Sequence, residues 1–113
     1  MPDLRSVDLT QVRGFNLGGF CLRPFAGDEI MVVRVEGPPG ALAPEHSHPH
    51  EQLSTILQGR VRFRLGDEVV ELSAGEALHI PSGAPHEAFV LEETVFFDIF
   101  HPVREEFLDR QVP

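Results

Sequence analysis

Glycine and proline punctuate this chain at short intervals, and that spacing constrains the fold more than any other feature of the sequence. Runs rich in valine, isoleucine, leucine and phenylalanine lie between the breaks. The breaks are Gly18-Gly19, Gly37-Pro38-Pro39-Gly40, Gly59, Gly66-Asp67, Gly75 and Pro81-Ser82-Gly83-Ala84-Pro85. Short apolar runs separated by such turns predict an all-β sandwich or barrel.

Alternating polarity supports strands in several of these runs. Residues 61–65 place apolar side chains on one face and arginines on the other, and Gly66-Asp67 then leads into residues 68–72. This pair of runs predicts a β-hairpin. The runs 29–36 and 94–100 predict two further strands.

Two short helices are expected outside the strand region. One covers residues 6–13 as a leading turn. The other covers residues 103–110, because Pro102 suits a first helical position and acidic residues follow it early. Phe107 and Leu108 give this second segment its apolar side chains.

Length and composition limit the classes of function. A chain of 113 residues fits one domain, residues 1–113. No apolar run approaches the roughly 20 residues of a membrane span, and the start lacks a signal-peptide pattern, so a cytoplasmic location without a membrane partner is expected. The net charge of −9 does not suit phosphate backbones and argues against nucleic-acid partners. Cys21, expected at a buried strand position, is the only cysteine, which excludes an internal disulfide.

Residues 44–52, PEHSHPHEQ, contain half of the six histidines of the chain. In a strand, alternate side chains point the same way, so His46 and His48 share a face and can bind one divalent cation. His86 is the best candidate for a third ligand, because it follows the turn-rich PSGAPH stretch at the start of another strand. The competing interpretation is a solvated histidine-rich loop that binds no metal.

The surroundings of these histidines resemble the first motif of the cupin family. Gly40 is followed after five residues by His46-Ser47-His48. Three residues then lead to Gln52, and six more lead to Gly59. The family motif has glutamate where this chain has Gln52.

The second cupin motif resembles the stretch that begins at Gly75, fifteen residues beyond the end of the first. Five residues lead to Pro81-Ser82-Gly83, and two more lead to His86. The usual terminal asparagine of the motif is Val90 here. Two motifs at this separation are a specific signal across residues 40–90. The resemblance implies a small double-stranded β-helix, the jelly-roll barrel of the cupins.

The resemblance also implies a divalent metal ion inside the barrel, held by His46, His48, Gln52 and His86. Gln52 offers a neutral carbonyl oxygen in place of a carboxylate, so the ion would keep its full charge, act as a stronger Lewis acid and be held less tightly. Glu51 has the opposite strand parity and is expected to face outward. His50 is expected at the rim, beside a bend at Pro49.

The stretch FFDIFHPVREEFLDR, residues 96–110, places a carboxylate in an apolar strand. Asp98 shares one strand face with Phe96 and Phe100, and a carboxylate there is costly unless it is paired or used. Burial among aromatic rings raises the pKa of such a group toward the range of a general acid or base. Arg104 is placed either to bind a substrate carboxylate or to form a salt bridge with Asp98 that closes the barrel.

The same tail resembles that of the KdgF-type cupins, as do the HSHPHEQ and IPSGAPH blocks. These small enzymes act on 4,5-unsaturated uronates released from pectin or alginate, and they use a metal site of three histidines and one glutamine. The resemblance implies active-site roles for Asp98, Phe100 and Arg104. The Phe100-His101 pair departs from the family pattern at a position that bears on substrate fit.

The function implied by this resemblance is the ring opening and ketonisation of 4,5-unsaturated monouronates to linear 5-keto-4-deoxyuronate. Asp98 would shuttle the proton, Arg104 would hold the sugar-acid carboxylate and Phe100 would cover the ring, with Ni, Zn, Mn or Co as the metal. Two alternatives stay open. One is an Fe(II)-dependent cupin dioxygenase on the same four ligands, and the other is a non-catalytic cupin that binds metal or a small ligand. The resemblance also implies a homodimer with N-terminal strands in its interface.

Overall fold

The computed structural model describes residues 4–111, and the strands in this range form one eight-stranded antiparallel sheet. The strands are β1 (Phe15–Leu17), β2 (Phe20–Ala26), β3 (Met31–Gly37), β4 (Leu42–His46), β5 (Glu51–Leu65), β6 (Glu68–Ser73), β7 (Ala77–Ile80) and β8 (His86–His101), followed by helix α1 (Glu105–Asp109). Their order is β1-β2-β3-β8-β5-β6, with β4 beside β8 and β7 beside β5. The predicted all-β jelly-roll barrel with a short C-terminal helix is confirmed.

The predicted strands are present, although two have different limits. Gly66-Asp67 links β5 to β6, and Leu65 pairs with Glu68 across this turn, so the hairpin is confirmed. The run 29–36 begins its strand only at Met31, and the run 94–100 is the second half of the long strand β8. Cys21 lies in a strand as expected, but it is partly exposed, because it alternates with buried neighbours.

The leading helix expected over residues 6–13 is absent from the structure, which shows an isolated turn there. The Asp8 carboxylate accepts hydrogen bonds from the backbone N–H of Thr10 at 2.9 Å and from its hydroxyl at 2.6 Å. Such local side-chain bonds favour a turn over a helix. The C-terminal helix is shorter than expected, because Arg104 keeps an extended backbone. No helix among residues 4–111 is long and apolar enough to span a membrane.

Strict alternation builds the core of the barrel. In β3, Met31, Val33 and Val35 are almost fully buried, while the residues between them are only half-buried. Phe63 and Phe96 meet inside the barrel with ring centroids 6.2 Å apart in an edge-on arrangement. Full burial of each such side chain contributes about 1.5–3 kcal/mol, which makes this face the main source of stability.

Strands β5 and β8 pair along most of their length, and Gly59 interrupts that pairing. The register between them shifts at residues 56–61. Gly59 has a φ of +85°, and a Cβ at this position would collide with the carbonyl group of Glu93. The bend divides β5 into a second half that pairs with β6 and a first half, residues 51–56, that lies beside the end of β8. The first half is the part that carries candidate site residues.

Candidate functional site

The loop before β8 is hydrogen-bonded to the histidine-rich link between β4 and β5. The backbone N–H of Gly83 donates to the carbonyl oxygen of His48 at 2.8 Å, and the Ser82 hydroxyl donates to that of Pro49 at 2.5 Å. β4 ends at His46, so His48 lies outside the strand in which the sequence placed it. These loop contacts therefore position His48, while the pairing of β4 with β8, in which His46 lies opposite His86, brings the two motifs together.

The imidazoles of His46, His48 and His86 form one cluster, with their candidate ligand nitrogens within 4.8 Å of one another. In each ring Nδ1 faces a backbone carbonyl oxygen, that of Pro44 at 2.8 Å, of His50 at 3.0 Å and of Ala84 at 2.8 Å. A carbonyl only accepts, so each Nδ1 carries the hydrogen and donates it. The Nε2 lone pair of each ring is then free to bind a metal, which is the arrangement that metal-binding histidines use.

Burial favours the neutral form of the two inner imidazoles. Desolvation lowers the pKa of His48 to about 4, and the positive charges of Arg104 and of protonated His86 act in the same direction. Desolvation also lowers the pKa of His86 below its ordinary value. Both rings are therefore neutral at pH 7, which is the state that binds a cation.

Gln52 extends this cluster on the inner face of β5. Its side chain is buried, and its Oε1 lies 3.1 Å from Nε2 of His48. Because Nδ1 of His48 carries the hydrogen, this contact joins two acceptor atoms, and a cation between them would satisfy both. The donor set fits a divalent ion, although the ligand roles of His46, His48, Gln52 and His86 stay a prediction.

Neighbouring polar residues lie outside this cluster or at its edge. The Glu51 side chain is 59% exposed on the outer face, as its parity predicts, and lies 2.7 Å from Nε2 of His79. His50 is partly buried, and its Nδ1 has no hydrogen-bond partner within residues 4–111. The backbone of His50 nevertheless matters, because its carbonyl orients the ring of His48.

Asp98 faces the barrel interior from β8, between the buried rings of Phe96 and Phe100. Ser54 is its partner across the strands and donates a hydrogen bond from its hydroxyl to Oδ1 at 2.6 Å. Burial raises the pKa of Asp98 to about 6, although the Ser54 hydrogen bond, Arg104 and Gln52 partly offset the shift. A carboxyl group with this pKa can both accept and donate a proton near neutral pH.

Arg104 does not form the salt bridge with Asp98 that the sequence left open. Its Nε donates instead to Oε1 of Glu106 at 2.9 Å. The guanidinium carbon lies 5.0 Å from the ring centroid of Phe100 and 4.0 Å from that of Phe107, in cation–π contact with both. The aromatic contacts hold the planar group in place, and they leave the Asp98 carboxylate free of a direct ion pair within the described residues.

These groups line one cavity of about 280 Å³. Polar side chains in its wall are His46, Gln52, His86, Asp98, Arg104 and Glu45. The remaining wall is mostly apolar and includes Phe20, Leu22, Val35, Phe63, Phe96, Phe100 and Phe107. A few convergent polar groups in an apolar concavity are typical of a small-molecule site.

Sequence analysis gave Ser54 no role, although Ser54 lies two residues after Gln52 and so shares its strand parity. The structure shows that this buried hydroxyl connects the two: Nε2 of Gln52 donates to it at 3.0 Å, and it donates to Asp98. The parity was a usable signal for an inward position. The contact itself depends on the register between β5 and β8, which the sequence of either strand alone does not reveal.

The cupin domain model matches residues 33–100. Because the match covers more than half of the chain and includes both histidine motifs, the chain belongs to the cupin family. Cupin neighbours imply a small-molecule ligand, and the three histidines described above are positioned to hold a metal.

Two solved structures cover nearly all of this fold. An RmlC-like cupin from Shewanella frigidimarina NCIMB 400 is 24% identical, with a TM-score of 0.85 over 93% of this chain and 96% of that one. KdgF from Halomonas sp. is 28% identical, with a TM-score of 0.79 over 86% of this chain and 94% of that one. The first supports the fold alone, whereas the second is also consistent with the sequence resemblance in the tail.

A curated relative matches part of the chain more closely. Dimethylsulfoniopropionate lyase DddQ from Ruegeria pomeroyi is 38% identical over 64 residues, which are 56% of this chain and only 32% of that protein. Oxalate decarboxylase from Bacillus subtilis shares the fold at 20% identity, with a TM-score of 0.78 over 93% of this chain and 33% of that one. Cupins of different chemistry therefore share this barrel.

Proposed function

We propose that this cupin is a metal-dependent enzyme that opens and ketonises 4,5-unsaturated monouronates to linear 5-keto-4-deoxyuronate. The observation that supports this most directly is the common cavity, in which Asp98 and Arg104 face the cluster of His46, Gln52 and His86. The similarity to KdgF from Halomonas sp. supports the same reaction. In this proposal the chain acts as an isomerase and consumes no oxidant.

A divalent ion, for example Ni, Zn, Mn or Co, would be held by His46, His48, Gln52 and His86 and would polarise oxygen atoms of the substrate. Asp98 moves the proton between substrate oxygen and carbon, since its pKa of about 6 allows both directions near neutral pH. Phe100 packs beside the sugar and excludes water from the reacting atoms.

Arg104 binds the substrate carboxylate in this proposal. The guanidinium is fixed between Phe100 and Phe107, so little conformational freedom is lost when a carboxylate binds. Its charge also matters, because the chain as a whole carries −9 and would repel an anion. An arginine and a cation held by neutral ligands make the cavity the favourable place for a sugar acid.

The direct test follows the loss of alkene absorbance when metal-loaded protein is mixed with unsaturated monouronates from pectin or alginate. The slow spontaneous decay of the substrate is subtracted. We expect acceleration in air and equally under nitrogen. Equal rates with and without protein on both substrates would refute the proposal. Activity that requires oxygen and Fe(II) would instead identify the dioxygenase alternative.

A second candidate function comes from the match to the lyase DddQ. The same base, Asp98, would remove a proton next to a carboxylate held by Arg104, and a leaving group would depart. The apolar wall around Phe63 and Phe96 suits a leaving group with methyl substituents. Release of dimethyl sulfide from dimethylsulfoniopropionate, measured in the headspace, would support this reaction over ketonisation.

We also propose a homodimer that uses the outer face of the sheet. One row of paired outward residues crosses four strands and is apolar: Phe25, Val32, Ile99 and Leu53. Leu53 is 46% exposed, and β2 and β3, two of the N-terminal strands, contribute the first two members. Sedimentation of wild type and Leu53→Glu should give a dimer and a monomer, respectively, and a monomeric wild type would contradict this part of the proposal.

A further inference from the structure

We infer that Gln52 and Ser54 form a directional hydrogen-bond chain that orients Asp98, and that this chain requires an amide rather than a carboxylate at position 52. The inference rests on the proposed function insofar as it treats Asp98 as the group that moves the proton. It assigns positioning roles to Gln52 and Ser54. It also explains why residue 52 is a glutamine by a cause that is separate from the charge of the metal.

The direction of the chain follows from which atoms can donate. A carboxylate only accepts, so the hydroxyl hydrogen of Ser54 points to Oδ1 of Asp98 at 2.6 Å. The Ser54 oxygen then accepts, and Nε2 of Gln52 is the donor at 3.0 Å. With its nitrogen committed there, Gln52 must turn Oε1 toward His48, 3.1 Å away. Each orientation fixes the next.

The strands impose this geometry on the side chains. Ser54 lies opposite Asp98 in the register of β5 and β8, and Gln52 lies two residues earlier on the same inner face. Ser54 is fully buried and Gln52 is only 4% exposed, so water offers no ready substitute for either bond. Ser54 holds Oδ1 of Asp98, and the Asp98 side chain also lines the cavity.

A carboxylate at position 52 cannot complete this chain. It has no N–H to donate to Ser54, and it would compete with Asp98 for the single hydroxyl hydrogen. One buried carboxylate would then lack its partner, which carries the full desolvation cost of that group. Gln52→Glu should therefore release Asp98 from its fixed orientation, whatever it does to metal binding.

Reversal of the direction of the hydrogen bonds between residues 52, 54 and 98 provides a test that needs no substrate and no metal. In the double variant Gln52→Glu/Asp98→Asn, the new amide at 98 can donate to the Ser54 oxygen, and the Ser54 hydroxyl can donate to the new carboxylate. Thermal unfolding of metal-free protein near pH 8 should show a drop of about 5 °C or more for Gln52→Glu alone. Addition of Asp98→Asn should restore the midpoint to that of wild type or above.

Direct repulsion between two carboxylates would also make these substitutions non-additive, so the cycle must be repeated without the Ser54 hydroxyl. In Ser54→Ala the coupling between positions 52 and 98 should fall by at least half if it passes through the hydroxyl. Ser54→Cys, which keeps a similar volume with a weak donor, provides a second background if the alanine variant does not fold. Additive effects of the substitutions at 52 and 98 in the presence of Ser54 would overturn the inference. Coupling as large without the Ser54 hydroxyl as with it would also overturn the inference.

Steady-state kinetics test the positioning role separately. At a metal concentration that saturates the variant, checked by calorimetry, Ser54→Ala should lower kcat by about tenfold while KM changes by less than about twofold. A variant with wild-type kcat would overturn the role of Ser54 in orienting Asp98. If wild type itself turns over no uronate, the proposed function fails, whereas the unfolding cycle still decides the hydrogen-bond chain.

Discussion

The two faces of β5 and β8 carry similar polar groups in opposite surroundings. On the inner face, Gln52, Ser54 and Asp98 are hydrogen-bonded within a buried row beside His48. On the outer face, the adjacent residue Glu51 pairs with His79, and these side chains are 59% and 52% exposed. One step along the chain therefore moves a polar side chain from the barrel interior to solvent.

The difference shows that contact distance does not predict how strongly each interaction affects stability. The outer contact between Glu51 and His79, at 2.7 Å, is nearly as short as the inner hydrogen bond of 2.6 Å between Ser54 and Asp98. Exposed ion pairs contribute only about 0–1 kcal/mol because water and salt screen them. Inside the barrel the effective dielectric constant is low, so the same types of group influence one another's protonation and orientation strongly. The inner face is therefore where substitutions should have large effects.

The largest contrast is expected between one inner and one outer histidine. His48→Ala should abolish stoichiometric binding of a divalent ion, because it removes one of the proposed ligands. His79→Ala should keep wild-type stoichiometry. Metal content of untagged protein, measured by atomic emission, checks both. Equal metal content in wild type and His48→Ala would eliminate the proposed site.

The second-largest contrast is expected between substitutions of carboxylates on the two faces. Asp98→Asn should lower the rate of uronate ketonisation by about 10²–10⁴-fold, which is typical for loss of a general acid or base. Metal content and folding should be unchanged. Glu51→Gln, its outer counterpart, should have the wild-type rate. An Asp98→Asn protein as active as wild type would keep an enzyme but discard this mechanism.

A contrast of intermediate size is expected between substitutions of two arginines, Arg104 in the cavity and Arg60 on the surface. Arg104→Ala should raise KM for the monouronate by about 10–100-fold with a smaller change in kcat, because a charge-assisted contact made in ground and transition states is lost. Arg60, which pairs with Glu71 on the exposed surface, serves as the control. We expect Arg60→Ala to leave both constants unchanged. A loss confined to kcat in Arg104→Ala would place Arg104 in the chemical step instead.

The smallest effect expected is on stability and depends on pH. Burial raises the pKa of Asp98 from 3.8 to about 6, so the folded chain binds this proton more tightly than the unfolded chain. Stability from this group is present below the unfolded value and is lost as pH rises through about 6. Asp98→Asn should therefore raise the free energy of unfolding of metal-free protein by at most about 3 kcal/mol near pH 8 and have little effect near pH 3. Chemical denaturation at the two pH values measures this, and an equal change at both would contradict it.

Short-range patterns in the sequence predicted a good part of this molecule. Alternation placed Asp98, Phe96 and Phe100 on one inward face, and parity separated Gln52 from Glu51, as the structure shows. These properties depend on one strand at a time. The spacing of two glycine-containing motifs predicted the cupin barrel.

Features that depend on distant parts of the chain could not be predicted from the sequence. Ser54 and Asp98 are 44 residues apart, and only the register of β5 against β8 makes them partners. The choice of Glu106 over Asp98 by Arg104 likewise depends on how the last turn lies over the barrel. The expected helix at 6–13 failed for a local reason, because the hydrogen bonds of the Asp8 side chain compete with helical ones.

The backbone carbonyls behind the histidine rings have a consequence for the entropy of cation binding. Pro44, His50 and Ala84 already hold the three imidazoles in fixed rotamers. Immobilisation of a free side chain at a binding site costs about 0.5–1.5 kcal/mol, and here that ordering is complete once the chain has folded. A cation would therefore bind with little loss of side-chain freedom. A substitution that loosens the backbone at one of these carbonyls should weaken binding through entropy alone, with every ligand still in the chain.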